Sequence, residues 1–569
     1  MTDEHWPVAC RSLVAKMLAE LSFEQALRPE PLGGSRYGIR LGATSYAFTA
    51  RQSTMDSWIV APGTVTRDGE PADDPFRLLL DLHGAWGLDP QTTALTVTEL
   101  TATLAADAHL LRTGLGVAEL ADLPHAELEG HQTGHPWIFA NKGRVGFSAA
   151  DRRAYAPEAR RLHRLPWIAV HPDLAEFHGD PALVDRELDP RTRAEFAAHD
   201  PGGYVWLPVH PWQWDEVVEP LYAAELAAGR IVPLGEAPDR YRAQQSIRTF
   251  VNVDRPDRFD VKLPLSILNT MVYRGIPTEL AEAAPPSTRW LHAIRDADPF
   301  LRDTCRVILP GEVAAVAVRH PVLARIDGVP YRYTQLLGAL WREPLAPQLE
   351  PGERARTLAA LLHVDPAGGS LAAELVRRSG LAADAWLRRL LAAFLPPILH
   401  YLYRYGLAFN PHGENTVVIF DERDVPVRVA VKDFVDDMKL LTSDLPGYAG
   451  LPDAARSVLI RVSADEMCAS LVKSIFVCVF RYLAPLFADK LGVPETDFWA
   501  MVRAEILAYH RRFPALADRF ALFDLLAPTF ERVCLNRERL LPGGYHDRAE
   551  RDAPFHLDAE PLPNPLLEP

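Results

Sequence analysis

Three groups of polar residues have the types and spacing to do chemistry. In the last third of the chain, His412-Gly413-Glu414-Asn415 is followed by an apolar run at 416–420, a polar turn at 421–424, a second apolar run at 427–431 and then Lys432-Asp433-Phe434. Two apolar runs around a polar turn predict a β-hairpin. Asn415 and Asp433 are equidistant from Asp424, so a ladder centred there would set them side by side, roughly 5 Å apart at Cα. An amide oxygen and a carboxylate at that separation can share one hard cation. Magnesium carried on nucleotide phosphates usually takes only one or two carboxylates from protein. The plainer alternative is a structural hairpin whose ends are capped by Asn and Asp.

Protein kinases hold magnesium with the same pairing: a catalytic-loop Asn, a hairpin and an Asp before Phe. The kinase base, however, is an Asp roughly five residues before that Asn, and this chain has Asn410 there. The machinery therefore reads as one that holds metal and ATP without deprotonating a hydroxyl for phosphoryl transfer. A small-molecule kinase is the alternative.

The second group begins at Gln244-Gln245-Ser246-Ile247-Arg248-Thr249-Phe250-Val251, which predicts a strand over 246–253. Period 2 puts Gln244, Ser246 and Arg248 on one face and Ile247, Val251 and Val253 on the other. A hydroxyl and a guanidinium on one face suit a phosphate or carboxylate, though many solvated strands carry such pairs. Lys262 is the only charge in the apolar stretch 261–265. Ser266 is a reasonable helix N-cap, and Gly275 with Pro277 is a stop signal. A helix between them would place Thr270 and Arg274 one turn apart on the same face; the alternative is a surface Arg near a helix end.

The third group runs from Gly134-His135-Pro136 to Asn141-Lys142-Gly143-Arg144-Val145-Gly146-Phe147. Its glycines let the backbone approach a ligand while Lys142 and Arg144 point at it. It is not a Walker P-loop, which would need GKS or GKT. Further His-Pro pairs at 171, 210 and 320 end apolar runs and read as strand caps, with His210-Pro211-Trp212-Gln213-Trp214 in the core.

The elements that must position these groups follow from periodicity and breakers. Residues 1–30 predict a helix, with Leu13, Met17, Leu18 and Leu21 on one face, and 104–120 predicts another. Short strands and turns alternate with helical pieces over 40–165. Strands are expected at 167–170, 204–209, 246–253, 259–265 and 313–318. The Pro/Glu-rich stretch 343–353 reads as a boundary. Beyond it helices are expected at 354–363, 371–378, 384–405, 464–487 and 497–512, interrupted by the hairpin, and a Pro- and Asp-rich tail from 541 is expected to wrap the surface. The fold class is α+β in three parts.

Composition narrows the function. The chain has 569 residues, 48% of them hydrophobic, and a formal net charge of −15, which is unfavourable for neutralising nucleic-acid phosphates. A cleft can still take small anions, because its local field and not the net charge decides. The five cysteines (Cys10, Cys305, Cys468, Cys478, Cys534) form no CxxC pair, so neither a disulfide framework nor a thiolate metal site is expected, and a reducing cytoplasm fits. The first residues, Met1-Thr2-Asp3-Glu4, are acidic where a signal peptide is basic. The most apolar stretch, 474–487, carries Arg481 and is too short for a bilayer span, so a buried helix is expected instead of membrane partnership.

In their order along nearly the whole chain, these segments resemble the IucA/IucC-type siderophore synthetases, which work without a peptide-synthetase template. The similarity rests on Gly134-His135-Pro136 with Lys142-Gly143-Arg144, His210-Pro211-Trp212-Gln213, Ser246-Ile247-Arg248-Thr249 and Lys262. It continues through Thr270 to Arg274, Trp341-Arg342-Glu343, His412-Gly413-Glu414-Asn415 and Asp433-Phe434. The resemblance implies a cupped hand, with a thumb at 1–165, fingers at 166–350 and a kinase-like palm at 351–569. It implies an ATP-dependent ligase that adenylates a small carboxylic acid, releases pyrophosphate and joins the acid to an amine or hydroxylamine. ATP would meet His135, Lys142, Arg144, Ser246, Arg248, Thr249 and Lys262, with Mg2+ on Glu414, Asn415 and Asp433. The acid would meet Thr270, Arg274 and His412; Arg274, His412 and Lys262 would be catalytic, with His412 the candidate proton acceptor. A homodimer in the cytoplasm is also implied.

Two features depart from the family pattern: Lys432 stands where many relatives have Arg, and the Asn-Lys-Gly-Arg stretch is more similar to the branch that takes succinyl-hydroxydiamines or citrate monoamides than to the branch that opens on free citrate. Strand alternation also sets Thr249 opposite Arg248, so its contact would need a bulge or a backbone N–H. The helical C-terminal part can resemble iron-siderophore reductases, but those need a tight cysteine cluster, which this chain lacks.

Overall fold

The computed structural model describes residues 4–542 and 559–567. Most of the expected tail, 543–558, lies outside the described residues. The chain mixes helices and sheets around three large apolar cores.

The first core forms where the helix Trp6–Phe23 buries Leu13, Met17, Leu18 and Leu21. Against it pack a six-stranded sheet at 30–71 and the helix Pro90–Thr113. That second helix begins earlier than 104 because Asp89 caps it, accepting from the Thr92 backbone N–H at 2.8 Å with Pro90 in the first turn. It stops at Gly114, whose extended backbone breaks the run expected to reach 120.

The second core lies on a seven-stranded antiparallel sheet. Its order is Leu162–His163, Tyr241–Ala243, Thr249–Asn252, Asp260–Lys262, Leu337–Arg342, Glu312–Val318 and Ala175–His178. Along Glu312–Val318 the pleat splits the residues between two cores. Ala314, Val316 and Val318 face the sheet's main core, while Ala315 and Ala317 face the alanines of the helix Thr278–Ala297. Small side chains let that helix lie close, and Val435 joins the same contact.

The third core is helical, built on Ala383–His400, Glu495–Arg512 and the continuous helical stretch 464–491. The last is longer than expected and apolar enough by composition to cross a membrane, yet it is mostly packed inside the protein. Its Arg481 is buried, paired with Glu20 at 2.7 Å and stacked 3.7 Å over the Phe23 ring, which ties this helix to the first core.

Three expectations need correction. Residues 354–363 are not a helix: Arg354–Thr357 adds a third strand to the 416–431 hairpin, followed by a short 3-10 turn. The expected helix after Ser266 is a hairpin, Leu265–Asn269 with Val272–Arg274. The strand expected from 246 begins only at Thr249, because Ile247 has φ 63° and breaks the pleat.

Candidate functional site

The hairpin expected between Asn415 and Asp433 forms, Thr416–Phe420 against Pro426–Val431, but its register is one residue off. Asp421 pairs with Val425 around the turn, and a bulge then shifts the ladder so that Ile419 faces Arg428. Asn415 is therefore opposite Lys432, whose N–H donates to the Asn415 carbonyl at 3.0 Å, and not opposite Asp433. The Asn415 amide instead donates to Asp437 at 3.0 Å and to the Asn410 carbonyl at 3.3 Å.

Asp433 turns toward the sheet. Its backbone is left-handed, φ 61°, and its carboxylate lies 3.2 Å from Lys262 Nζ and 3.4 Å from Arg342 Nη1. Lys262 also reaches Glu312 at 3.3 Å, and Arg342 reaches Asp260 at 3.1 Å. The ladder explains the grouping: Arg342 lies on the central strand with Asp260 and Glu312 opposite it on the two neighbouring strands, and Lys262 shares the Asp260 strand. Burial opposes ionisation of Asp433, yet Lys262, Arg342, Lys432 and Arg248 together hold its carboxyl well below the usual range. Burial raises the neighbouring Glu312 carboxyl.

Arg248 is buried and donates to the Gly275 carbonyl and, at 3.3 Å, to Asp436. Thr249 is opposite Lys262 in the ladder. The left-handed Ile247 supplies the interruption that lets Ser246, Arg248 and Thr249 depart from strict alternation. Ser246 Oγ is buried without a hydrogen-bond partner.

Next to Gly275, the 265–274 hairpin carries Thr270 and Arg274. The helix reading is wrong, but the two side chains still meet. Arg274 donates to Thr270 Oγ1, to the Asn269 carbonyl at 3.0 Å and to the Thr270 carbonyl at 3.4 Å. Thr270 and Met271 both have positive φ, 46° and 79°, a conformation that a β-branched residue adopts at a cost of about 1–3 kcal/mol. Arg274 holds that turn shut.

The 134–147 segment joins the same hairpin through paired Val145 and Leu268 hydrogen bonds of 2.9 and 3.0 Å. Gly146, φ 119°, leaves no room for a side chain, because a Cβ would stand 3.0 Å from Ile267. Lys142 is buried, donating to the Thr133 carbonyl and lying 3.2 Å from Asp107. Arg144, expected to point at a ligand, is instead buried in a two-pronged pair with Glu158. Although burial opposes it, that pair pulls the Glu158 carboxyl down to about 2.

His135 and His412 share a detail. His135 Nδ1 accepts the Ile138 N–H at 3.2 Å; His412 Nδ1 accepts from Glu414 and Asn415 at 3.2 and 3.3 Å. Each neutral ring therefore carries its proton on Nε2. Burial pushes His135 down to about 3, with Lys16, His412, Arg274 and Arg481 adding to the effect.

The structure thus gathers Arg248, Lys262, Asp433, Thr270, Arg274, His135 and His412, and commits Arg144 elsewhere. Sequence reasoning missed Glu312, Arg342's ion pairs, Asp436 and Asp437. The acid pair after Asp433-Phe434 was a readable signal; Glu312 sits in an apolar strand with none. Among the described residues no three His, Cys, Asp or Glu groups converge as a metal cage. Asn415, Asp433, Asp436 and Asp437 are nevertheless hard oxygen donors of the kind magnesium prefers. The five cysteines are free and form no cluster.

The profile of the IucA / IucC family matches residues 124–363, and that of the ferric iron reductase FhuF-like transporters matches 384–548. The chain is 38% identical to the rhizobactin siderophore biosynthesis protein RhbF of Rhizobium meliloti, over 97% of this chain and 94% of that protein. It is 37% identical to the aerobactin synthase of Escherichia coli, over 100% and 98%. The structure of aerobactin synthetase IucC from Klebsiella pneumoniae superposes with a TM-score of 0.87 at 35% identity, covering 95% of this chain and 98% of that one.

Proposed function

We infer that this chain, which belongs to the IucA/IucC family, is a siderophore synthetase that uses ATP to adenylate a small carboxylic acid and joins it to an amine or hydroxylamine. One juxtaposition carries this reading. Arg248, beside the cluster of Lys262, Arg342 and Asp433, is hydrogen-bonded to the carbonyl of Gly275, one residue from Arg274. Cations enough for a polyphosphate therefore adjoin a guanidinium suited to a carboxylate.

A carboxylate acylates poorly because its leaving group would be oxide. In the proposed first step a carboxylate oxygen attacks the α-phosphorus of ATP. The bond to the β-phosphate breaks, and pyrophosphate leaves with the electron pair. Lys262, Arg248 and Lys142 offset the charge gathering on it, exchanging Asp433, Asp436 and Asp107 for phosphate oxygens. Arg274 and Thr270 hold the acid so that two anions can meet, an orientation effect. In the second step the amine nitrogen attacks the acyl carbon, AMP departs with the electron pair of the broken acyl–oxygen bond, and the nitrogen gives its proton to the departing phosphate or to water. His412 is not suited to receive that proton, since its Nε2 already carries one. It donates to the acid or to the oxyanion instead, and a hydroxylamine, weakly basic, arrives with its lone pair free. Asn415 and Asp433, with Asp437 beside Asn415 and Glu414 near, would hold magnesium, which would supply charge neutralisation on the phosphates.

The acid we propose is a citrate derivative or a succinyl-hydroxydiamine. The thumb, fingers and palm arrangement, the homodimer and a cytoplasmic setting belong to the same proposal. A pyrophosphate-release assay over citrate, succinyl-hydroxycadaverine and α-ketoglutarate, with and without polyamines, tests it. AMP and pyrophosphate are the expected products; ADP and orthophosphate alone would overturn the ligase reading in favour of a kinase.

A further inference from the structure

The His135 loop closes part of its polar groups on itself, through Lys142, Asn141 and the His135 ring, but several of its peptide groups are held from outside, and much of that hold comes from the far end of the chain. The C-terminal helix Leu535–Leu540 places Asn536, 2% exposed, against the loop backbone. Asn536 Oδ1 accepts the Phe139 N–H at 3.1 Å, and its Nδ2 donates to the Trp137 carbonyl at 3.3 Å. The same Nδ2 donates at 2.8 Å to Glu24 Oε1, which also accepts the Trp137 indole N–H at 2.8 Å. Asn536 and Arg537 give Glu24 two more backbone bonds, 2.9 and 2.7 Å. One amide thus binds Phe139, Trp137 and Glu24 together.

Further along the helix, Arg539 pairs with Glu99 at 2.9 Å. Glu99 in turn lies directly under Gly143, where a Cβ would stand 2.6 Å from it. From the opposite side Lys16 donates to the His135 and Ile138 carbonyls at 3.0 and 2.8 Å. A small cavity lined by Phe139, Met271, Asn536 and Arg539 shows that this helix also backs the tip of the 265–274 hairpin.

We propose that Asn536, from the C-terminal helix, and Lys16, from the first helix, are positioning residues that set the His135–Lys142 loop for the nucleotide. The inference rests on the reading of that loop as part of the ATP site. The loop has no regular structure of its own from 132 to 148. Its peptide groups must therefore find partners elsewhere, and a shift of about 1 Å in a binding loop is enough to cost substantial activity.

The test uses the full-length protein. Asn536→Asp turns a donor toward the Glu24 carboxylate into a second anion; it should weaken MgATP binding about tenfold by calorimetry. The KM for the acid should change less than about threefold. The split between ATP and acid is the readout that a general loss of packing, which would weaken both, does not give. Lys16→Met removes the hold from the other side without touching the helix, and it decides the matter should Asn536→Asp fail to fold. Folded variants that bind MgATP as tightly as the wild type overturn the inference, as does equal weakening for ATP and acid. Wild-type protein that binds no nucleotide would instead overturn the reading of the site.

Discussion

Replacing Asp433 by Asn separates its two roles, as the anchor between hairpin and sheet and as a metal carboxylate. The substitution is backbone-neutral, because Asn tolerates the left-handed conformation at φ 61° at least as well as Asp. It is also nearly isosteric, so it opens no cavity. What changes is charge: Lys262 at 3.2 Å and Arg342 at 3.4 Å exchange a charge-assisted partner for a neutral one. Charge-assisted hydrogen bonds contribute about 1.5–3 kcal/mol against about 1 for neutral ones, so the two together should lose about 1–4 kcal/mol. That is below the cost of leaving a buried charge with no counterion, because Glu312 and Asp260 still accept from the same cations.

The melting temperature of Asp433→Asn should therefore fall modestly. Turnover with magnesium should drop by about a thousandfold or more, since a proposed metal carboxylate is gone. ATP binding in EDTA, by contrast, should be unchanged or tighter, because Lys262 and Arg342 are freed for phosphate oxygens. Calorimetric titrations with and without magnesium, beside initial rates at fixed ATP, measure all three. Wild-type turnover and magnesium dependence in the variant would make Asp433 a strut only. Equal loss of ATP affinity with and without magnesium would mean the site has collapsed and would refute the assignment of a metal role.

Other outcomes follow from the same geometry. Arg274→Ala should raise the KM for the acid about thirtyfold, the loss of about 2 kcal/mol of charge-assisted contact, with a much smaller change for ATP. Arg248→Ala should act mainly on ATP, with a several-fold effect on the acid because the Gly275 carbonyl loses its donor. Equal effects of both variants on both substrates would mean the arginines act as one unit. The Arg144–Glu158 pair should show in acid stability: a carboxyl lowered from 4.5 to about 2 contributes stability that is present above about pH 4.5 and lost as the pH falls toward 2. The shift corresponds to about 3 kcal/mol, so the stability gap between wild type and Glu158→Gln should shrink by about that much over the window. A gap that does not depend on pH would refute it.

Local pattern was enough for much of this protein. The 416–431 hairpin, the helix around Leu13 to Leu21, the strand ending at Val318 and the helices at 371 and 495 follow from periodicity, caps and turn residues, which act over a few neighbours. The residues that gather at the site were legible too, because chemistry requires Arg, Lys, His and Asp whatever brings them together. What local pattern could not carry was a bulge at Val427 that moves Asn415 off Asp433, or the left-handed Ile247 and Thr270 that break a strand and make a turn. Those conformations are costly in isolation and persist only where packing and side-chain partners hold them, as Arg274 holds Thr270 from the facing strand of its hairpin. Other partners are nonlocal: Glu158 claims Arg144, Asp437 claims Asn415, and Asn536 reaches Trp137 across 399 positions. Which charge pairs with which depends on where the buried surfaces of the three cores bring them, and only the tertiary structure decides that.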